Sequence, residues 1–129
     1  MSIQDTIASL ERNTRMGTSR SLMAHGGQAG NSTVLEGVYQ ERGHIPPHYH
    51  DCEEVILCAQ GEGILFIGEE PHTFMAGATM VIPAGVAHCV YNTGIGQLRL
   101  LAFFPSACPA FHWVASLRRM AETGAGDSL

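Results

Sequence analysis

The chain of 129 residues contains no lysine, so its seven basic residues are all arginine. Without a lysine no side chain can form the imine of a Schiff-base or pyridoxal-phosphate enzyme, and that class is excluded. Twelve acidic residues give a formal net charge of −5. Because a phosphate backbone requires a basic face, we do not expect a nucleic acid partner.

Long apolar runs are also missing. Nowhere do about 18 apolar residues follow one another, so no transmembrane helix and no membrane partner are expected. The first residues, "MSIQDTIASLERNTR", lack the basic and apolar regions of a secretion signal, which predicts a cytoplasmic protein. The four cysteines form no CxxC pair and are expected to be thiols. Cys58 is expected to be buried, and the roles of Cys52 and Cys89 stay open.

Short runs rich in β-branched and aromatic residues dominate the chain from residue 33 onward. Gly, Pro or Asn separates them at intervals of roughly 8 to 12 residues, which is typical of an antiparallel sandwich or barrel. The runs are "TVLEGVYQE", "EVILCAQ", "GILFIG", "TMVIPA", "HCVYN" and "QLRLLAFF". Helical spacing of apolar residues over 3–13, and again from Phe111 to Ala121, predicts short helices at the termini. The fold class is therefore all-β with flanking helices.

The polar chemistry is concentrated in "HYHDCEE", residues 48 to 54. Residues two apart on a strand share a face, so His48 and His50 can direct both rings at one point. Glu54 keeps the same parity, and a bend near Asp51 would bring it closer. Two interpretations remain open from these residues alone: a metal site, or an exposed turn that is rich in His and Glu.

A later segment, "GATMVIPAGVAHCVYN", supplies a strand, a turn at Pro83 and Gly85, and His88 at the start of another strand. If that strand pairs beside the HxH strand in a small barrel, His88 becomes a fourth inward ligand. Three imidazoles and one carboxylate suit a borderline divalent ion, and an octahedral ion would keep two open positions.

The two segments together resemble the two sequence motifs of the cupins. "GHIPPHYHDCEEVILCAQG" has the first motif's H-x-H, the Glu four residues later and the Gly seven residues after that Glu. "GATMVIPAGVAHCVYN" matches G-x5-P-x-G-x2-H-x3-N at every specified position. One departure is Gly43, which precedes His48 by five positions where the pattern usually has six. The ligand spacing is unaffected.

The resemblance implies a cupin jelly-roll barrel, with His48, His50, Glu54 and His88 as the metal ligands. It covers roughly residues 33–105, which leaves 1–32 as an N-terminal helix and loop and 106–129 as a C-terminal helix and tail. Single-domain cupins are commonly dimeric, and the apolar "LRLLAFF" run points to the same homodimer. A metal-free cupin is the alternative, but such members usually lose one or more ligands.

The expected function is that of a small-molecule metalloenzyme. Parity places Ile56, Cys58 and Val90 in an apolar lining, with Tyr49 and Tyr91 facing outward. Fe(II) is the favoured ion, with Mn, Ni or Zn as alternatives, and dioxygenase chemistry is the first hypothesis. The second is non-redox isomerase, cyclase, decarboxylase or lyase chemistry, for which no general base is located. The third is a non-catalytic binding or sensing module.

Overall fold

The computed structural model of the chain describes residues 18–24 and 30–117. This part of the chain forms ten strands, and the all-β prediction is confirmed. The strands are β1 (Thr18–Ala24), β2 (Thr33–Tyr39), β3 (His44–Tyr49), β4 (Glu54–Gln60), β5 (Glu62–Ile67), β6 (Glu70–Met75), β7 (Thr79–Ile82), β8 (His88–Asn92), β9 (Leu98–Phe104) and β10 (His112–Trp113). The helix predicted over 3–13 lies outside the described residues.

Two five-stranded antiparallel sheets face each other in a jelly-roll barrel. The first sheet has the order β1-β2-β9-β4-β7 and the second has the order β10-β3-β8-β5-β6. Alternate residues of β4, β5, β8 and β9 point between the sheets, so that Ile56, Leu65, Val90, Leu98 and Leu100 form one buried core. A smaller cluster of Leu35, Phe104 and Phe111 closes one end.

Strand β3 carries two consecutive prolines, Pro46 and Pro47, which cannot donate ladder hydrogen bonds. The pairing of β3 with β8 shifts register between Ile45 and His48, which marks a β-bulge. The two prolines lie in this bulge, where no ladder hydrogen bond is required of them. Beyond the bulge, His48 lies directly opposite His88. The bulge therefore sets the register that brings the two imidazoles together.

The predicted C-terminal helix is wrong at its start. His112 and Trp113 form β10, which pairs with Tyr49 and His48 of β3, so the outer edge of β3 is hydrogen-bonded. Phe111 just before it is buried, and tertiary packing thereby overrides the helical spacing. Residues 118–121 of that predicted helix lie outside the described part of the chain.

The boundaries 1–32, 33–105 and 106–129 remain a proposal. Strands β1 and β10 both lie outside 33–105, and each adds an edge strand to one sheet. Among the described residues, no helix has the length and apolar character needed to cross a membrane.

Candidate metal centre

All four predicted ligands meet in the interior of the barrel. The possible ligand atoms of His48, His50 and His88 lie within 4.8 Å of one another. Glu54 Oε1 lies 3.2 Å from His50 Nε2 and 3.1 Å from His88 Nε2. The three histidines are 2–3% exposed and Glu54 is 6% exposed. An exposed turn, the competing interpretation of the HYHDCEE segment, is therefore ruled out for His48, His50 and Glu54.

Local structure explains how residues 34 positions apart converge. Strand β3 ends at Tyr49, the chain bends at Asp51 and Cys52, and β4 begins at Glu54. A bend near Asp51 was expected from the sequence, because it brings the Glu54 carboxylate close to the two histidines. The turn before His88 is tied to the same place, because Gly85 N donates a hydrogen bond of 2.8 Å to His50 O.

Each of the three histidines directs its Nδ1 atom at a backbone carbonyl oxygen. The pairs are His48 with Pro46 at 2.8 Å, His50 with Ala110 at 2.8 Å, and His88 with Val86 at 2.9 Å. A carbonyl oxygen only accepts, so Nδ1 carries the hydrogen in each bond. In the neutral imidazole the lone pair then lies on Nε2. With Nδ1 bonded to the backbone, Nε2 is the ring nitrogen that each histidine can offer to an ion.

The Glu54 carboxylate meets two of these nitrogens. The contact with His50 is short but not aligned for a hydrogen bond, and His50 Nε2 is buried without a hydrogen-bond partner. A nitrogen lone pair and a carboxylate oxygen repel at this distance unless a proton or a cation lies between them, and burial makes that repulsion costly. The donor set fits a divalent cation.

The electrostatics favour a neutral His48 and an ionised Glu54, which are the states that metal binding requires of these two groups. Burial, followed by the neighbouring His88 and His50, lowers the pKa of His48 well below its ordinary value, so its ring is neutral at pH 7. Burial alone would raise the pKa of Glu54, but the adjacent imidazoles of His50 and His88 outweigh burial and hold that pKa well below its usual range. The carboxylate is therefore ionised.

A cavity of about 50 Å³ lies beside the ligands, between the two sheets. Its lining is mainly apolar, and its residues are Leu35, Gly37, Tyr39, Ile45, His48, Glu54, Ile56, His88, Val90, Leu100, Ala102, Phe104 and Phe111. The rings of Phe104 and Phe111 pack on His50 with centroids 4.9 and 4.4 Å away. Such a lining limits access of water to the four ligands.

Most of the predicted lining is found where parity placed it. Ile56 and Val90 line the cavity, and Cys58 is buried in the adjoining core. Tyr91 is 38% exposed and faces outward, as expected. Tyr39 was missed: it lines the cavity because Leu35, Gly37 and Tyr39 alternate on the inner face of β2. The alternation in "TVLEGVY" was the signal that could have located it.

The cysteines are not part of the ligand group. All four are free, and Cys89 is buried beside His88 without joining the cluster. Burial raises the pKa of Cys89 to about 11. Burial, with Glu54 and Asp51, also raises the pKa of Cys52. Both side chains are therefore thiols at neutral pH, and a protonated thiol is a poor metal ligand.

Comparison with known proteins agrees with the geometry. The family model for the cupin domain matches residues 35–104, which is more than half of the chain. Auxin-binding protein 1 of Arabidopsis thaliana is 37% identical over 65 residues, which cover 43% of this chain and 33% of the relative. Auxin-binding protein T85 of Nicotiana tabacum is 34% identical over 59 residues, covering 38% and 32%. The chain thus spans about a third of the length of these curated relatives.

Solved structures of similar fold belong to several functional classes. Oxalate oxidase in complex with glycolate aligns with a TM-score of 0.67 at 21% identity, covering 76% of this chain and 55% of the other. A polyketide cyclase from Streptomyces resistomycificus aligns with a TM-score of 0.67 at 19% identity, covering 82% and 79%. Likeness at these identities shows the shared fold alone.

Proposed function

The chain belongs to the cupin family, and on that premise we propose that it is a small-molecule metalloenzyme whose divalent ion is held by His48, His50, Glu54 and His88. One observation carries the proposal: three clustered, buried imidazoles donate Nδ1–H to backbone carbonyls, and two of them, His50 and His88, direct Nε2 at the Glu54 carboxylate. Such orientation by backbone carbonyls is the arrangement in which histidines bind metals.

We propose dioxygenase chemistry as the reaction class. An Fe(II) ion in this site would supply the redox chemistry with O2, and Mn, Ni or Zn are the alternative ions. The chain's own residues hold the ion with one negative charge and three neutral donors. Phe104, Phe111 and Ile56 limit access of water to the bound substrate.

A second candidate is non-redox chemistry of the isomerase, cyclase, decarboxylase or lyase type. The observation that favours it is Tyr39, whose side chain lines the same cavity as His48 and Glu54. A tyrosine hydroxyl can donate or accept a proton, which is the acid or base that such a reaction requires. The similar fold of a polyketide cyclase supports this candidate.

A non-catalytic binding role is the third candidate. Two curated relatives are named auxin-binding proteins, and their matched regions are 37% and 34% identical to this chain. In this case the ion would bind a ligand that the protein later releases without chemical change. An apolar cavity is equally compatible with a binding protein and with an enzyme, so only a measurement of product formation distinguishes the two roles.

The metal content of the protein tests the proposal. We expect wild-type protein, purified without a His tag or chelator, to carry close to one divalent ion per chain by elemental analysis. His50→Ala and His88→Ala should lose it, whereas His72→Ala should keep it, because His72 lies on β6 and pairs with Glu70. Wild type with no more metal than the two ligand variants contradicts the proposal.

Oxygen consumption then separates the reaction classes. Dioxygenase chemistry predicts O2 uptake by the iron-loaded protein with a small chelating substrate. Product formation without O2 uptake supports the non-redox class. A rise in melting temperature with a ligand but no turnover supports the binding role.

Location and assembly remain proposals as well. The cytoplasmic location expected from the sequence remains a prediction. We propose a homodimer formed through the outer face of the first sheet, where Leu57, Val81 and Phe103 are 40%, 50% and 42% exposed. Exposed large apolar side chains on adjacent strands are typical of an interface between protein chains.

A further inference from the structure

We infer that residues 105–113, which we call the C-terminal strap, gate the metal site. The ion enters and leaves while the strap is lifted from β3, and the docked strap completes the site by orienting His50. The inference rests on the proposed metal site and adds how that site opens and closes. Three observations support it: the burial of a ligand atom, the origin of the acceptor for His50, and the unequal anchoring of the two ends of the strap.

The proposed site is closed to a hydrated ion in this conformation. His50 Nε2 is buried from water, although an ion must reach it. A divalent ion in solution carries a shell of water, so part of the barrel has to move before the ion can bind. The rings that cover His50 are Phe104 of β9 and Phe111 of the strap. Strand β9 is paired on both sides, with β2 and with β4, so the strap can move at lower cost.

The strap supplies the acceptor that orients His50. His50 Nδ1 lies 2.8 Å from Ala110 O, which is 60 residues away in the chain. His48 and His88 instead bond to carbonyls only two residues earlier in their own segments. Lifting the strap therefore leaves those two rings oriented and removes the acceptor of His50. An ion held by His48, Glu54 and His88 beside a loosened fourth ligand would dissociate faster.

The first half of the strap is anchored in the core. The Thr33 hydroxyl on β2 lies 2.8 Å from Ser106 O and 3.0 Å from Ala107 O. Thr33 is 1% exposed, and Pro109 is also fully buried. Burial of this polar contact makes it costly to break. Residues 106–107 are therefore the hinge about which the second half of the strap lifts.

The second half of the strap is held at the surface by weaker contacts. Strand β10 has two residues, which lie opposite Tyr49 and His48 of β3. His112 stacks on Tyr49, with ring centroids 4.7 Å apart, and its Nε2 atom lies 3.0 Å from an Asp51 carboxylate oxygen. The His112 and Asp51 side chains are 40% and 70% exposed, so solvent screens their attraction. A two-residue edge strand can open locally without unfolding of the barrel.

A disulfide that fastens the strap to β3 tests the gate. Tyr49→Cys combined with His112→Cys places two cysteines directly opposite each other, which is the geometry that a disulfide requires. The variant is loaded with nickel and oxidised, and the release of nickel to excess chelator is followed. We expect release at least about tenfold slower than from the same variant after reduction, because release then requires a larger part of the barrel to open.

A matched control fastens the other edge of the same sheet. Ile64 of β5 lies opposite Thr73 of β6, so Ile64→Cys with Thr73→Cys forms the equivalent crosslink far from the strap. This crosslink should leave the rate of nickel release unchanged. Phe111→Ala, which removes the ring over His50, should release nickel faster than the wild type.

The outcomes distinguish failure of the gate from failure of the site. Unchanged release from the strap crosslink, or equal slowing by both crosslinks, overturns the gate and leaves the metal site standing. Failure of the strap cysteines to join under conditions that join the control pair contradicts the docking of the strap on β3. A wild type that holds no nickel overturns the proposed metal site itself, and the inference with it.

Discussion

At the scale of single residues, the candidate centre depends on which nitrogen of each histidine carries the hydrogen. The acceptors at Pro46, Val86 and Ala110 are backbone carbonyls, so they persist whatever side chains surround them. These bonds fix the orientation of the three rings, so binding of an ion at the proposed site would cost less entropy. Glu54 then supplies the one negative charge among four ligands.

Glu54→Gln tests that charge with little change in shape. We expect the variant to lose more than about 100-fold in affinity for the divalent ion, since changes in residues that merely support a ligand already cost about 10- to 100-fold. Calorimetric titration with the metal found in the wild type measures the loss. Glu53→Gln is the control, because Glu53 is the exposed neighbour. Equal losses in the two variants would show that Glu54 acts only through the net charge of the protein.

The convergence of the four proposed ligands was predictable from sequence, as was the inward position of Tyr39, but the direction of the Tyr39 ring was not, for a physical reason. The spacing of His48, His50, Glu54 and His88 is fixed by strand geometry and by two short turns, and both are visible in the sequence. The direction of the Tyr39 ring depends on the space above Gly37, which arises only when β2 is packed against the opposite sheet. Side-chain direction within a packed core is not a local property.

At the scale of elements, the turn between β2 and β3 explains the one departure from the cupin pattern. Position 42, six before His48, is the place where the pattern usually has glycine. Arg42 occupies it with φ of 65°, a left-handed conformation that glycine adopts more easily. Gly43 N closes the turn with a hydrogen bond of 2.7 Å to Gln40 O. The turn is kept with an arginine in the glycine position, and the ligand spacing is intact.

Two other glycines of the motifs allow the cost of backbone strain to be compared with the cost of a steric clash. Both have positive φ, +88° at Gly61 and +95° at Gly77, but their surroundings differ. A Cβ at Gly61 would lie 2.6 Å from Gln97 O, whereas a Cβ at Gly77 would meet nothing within 4 Å. We expect Gly77→Ala to cost about 1 to 2 kcal/mol in unfolding free energy, from conformational strain alone. Gly61→Ala should cost more, because backbone atoms must also move.

Chemical denaturation of the two glycine variants checks this order. Each should unfold in one cooperative transition, so that the unfolding free energies can be compared directly. Equal losses of unfolding free energy in Gly61→Ala and Gly77→Ala would contradict the expected order. They would mean that the β4–β5 turn can move away from Gln97 at no energetic cost.

The strand β10 shows the limit of periodicity as a guide to elements. Phe111, Val114 and Leu117 have helical spacing, yet His112 and Trp113 pair with β3. The edge of β3 needs hydrogen-bond partners, and Phe111 is buried beside His48 and His50. Both effects depend on residues that are distant in the sequence, so the spacing of apolar residues within a short segment cannot reveal them.

At the scale of the whole molecule, the outer face of the first sheet is unusually apolar. Val55 of β4 lies opposite both Phe103 and Val81, and Leu57 lies opposite Leu101. We call these five residues the outer apolar patch. Its exposed side chains lie on three adjacent strands, so a flat partner surface could cover them together.

Sedimentation velocity tests the dimer that this patch predicts. We expect the wild type to sediment as a dimer and Phe103→Glu as a monomer, because a buried, unpaired carboxylate would oppose association. Ile95→Glu is the control: Ile95 is 96% exposed in the β8–β9 turn, and its variant should remain dimeric. A monomeric wild type, or a dimeric Phe103→Glu, contradicts an interface at the outer apolar patch.

The most direct test of the central claim is an anomalous-scattering map from crystals of the metal-loaded protein. The account predicts one strong peak inside the barrel, about 2.0 to 2.2 Å from the Nε2 atoms of His48, His50 and His88 and from a Glu54 carboxylate oxygen. The three Nδ1 atoms should stay hydrogen-bonded to their carbonyls. A peak bound through Nδ1, a peak elsewhere, or an empty centre in metal-loaded crystals would contradict it.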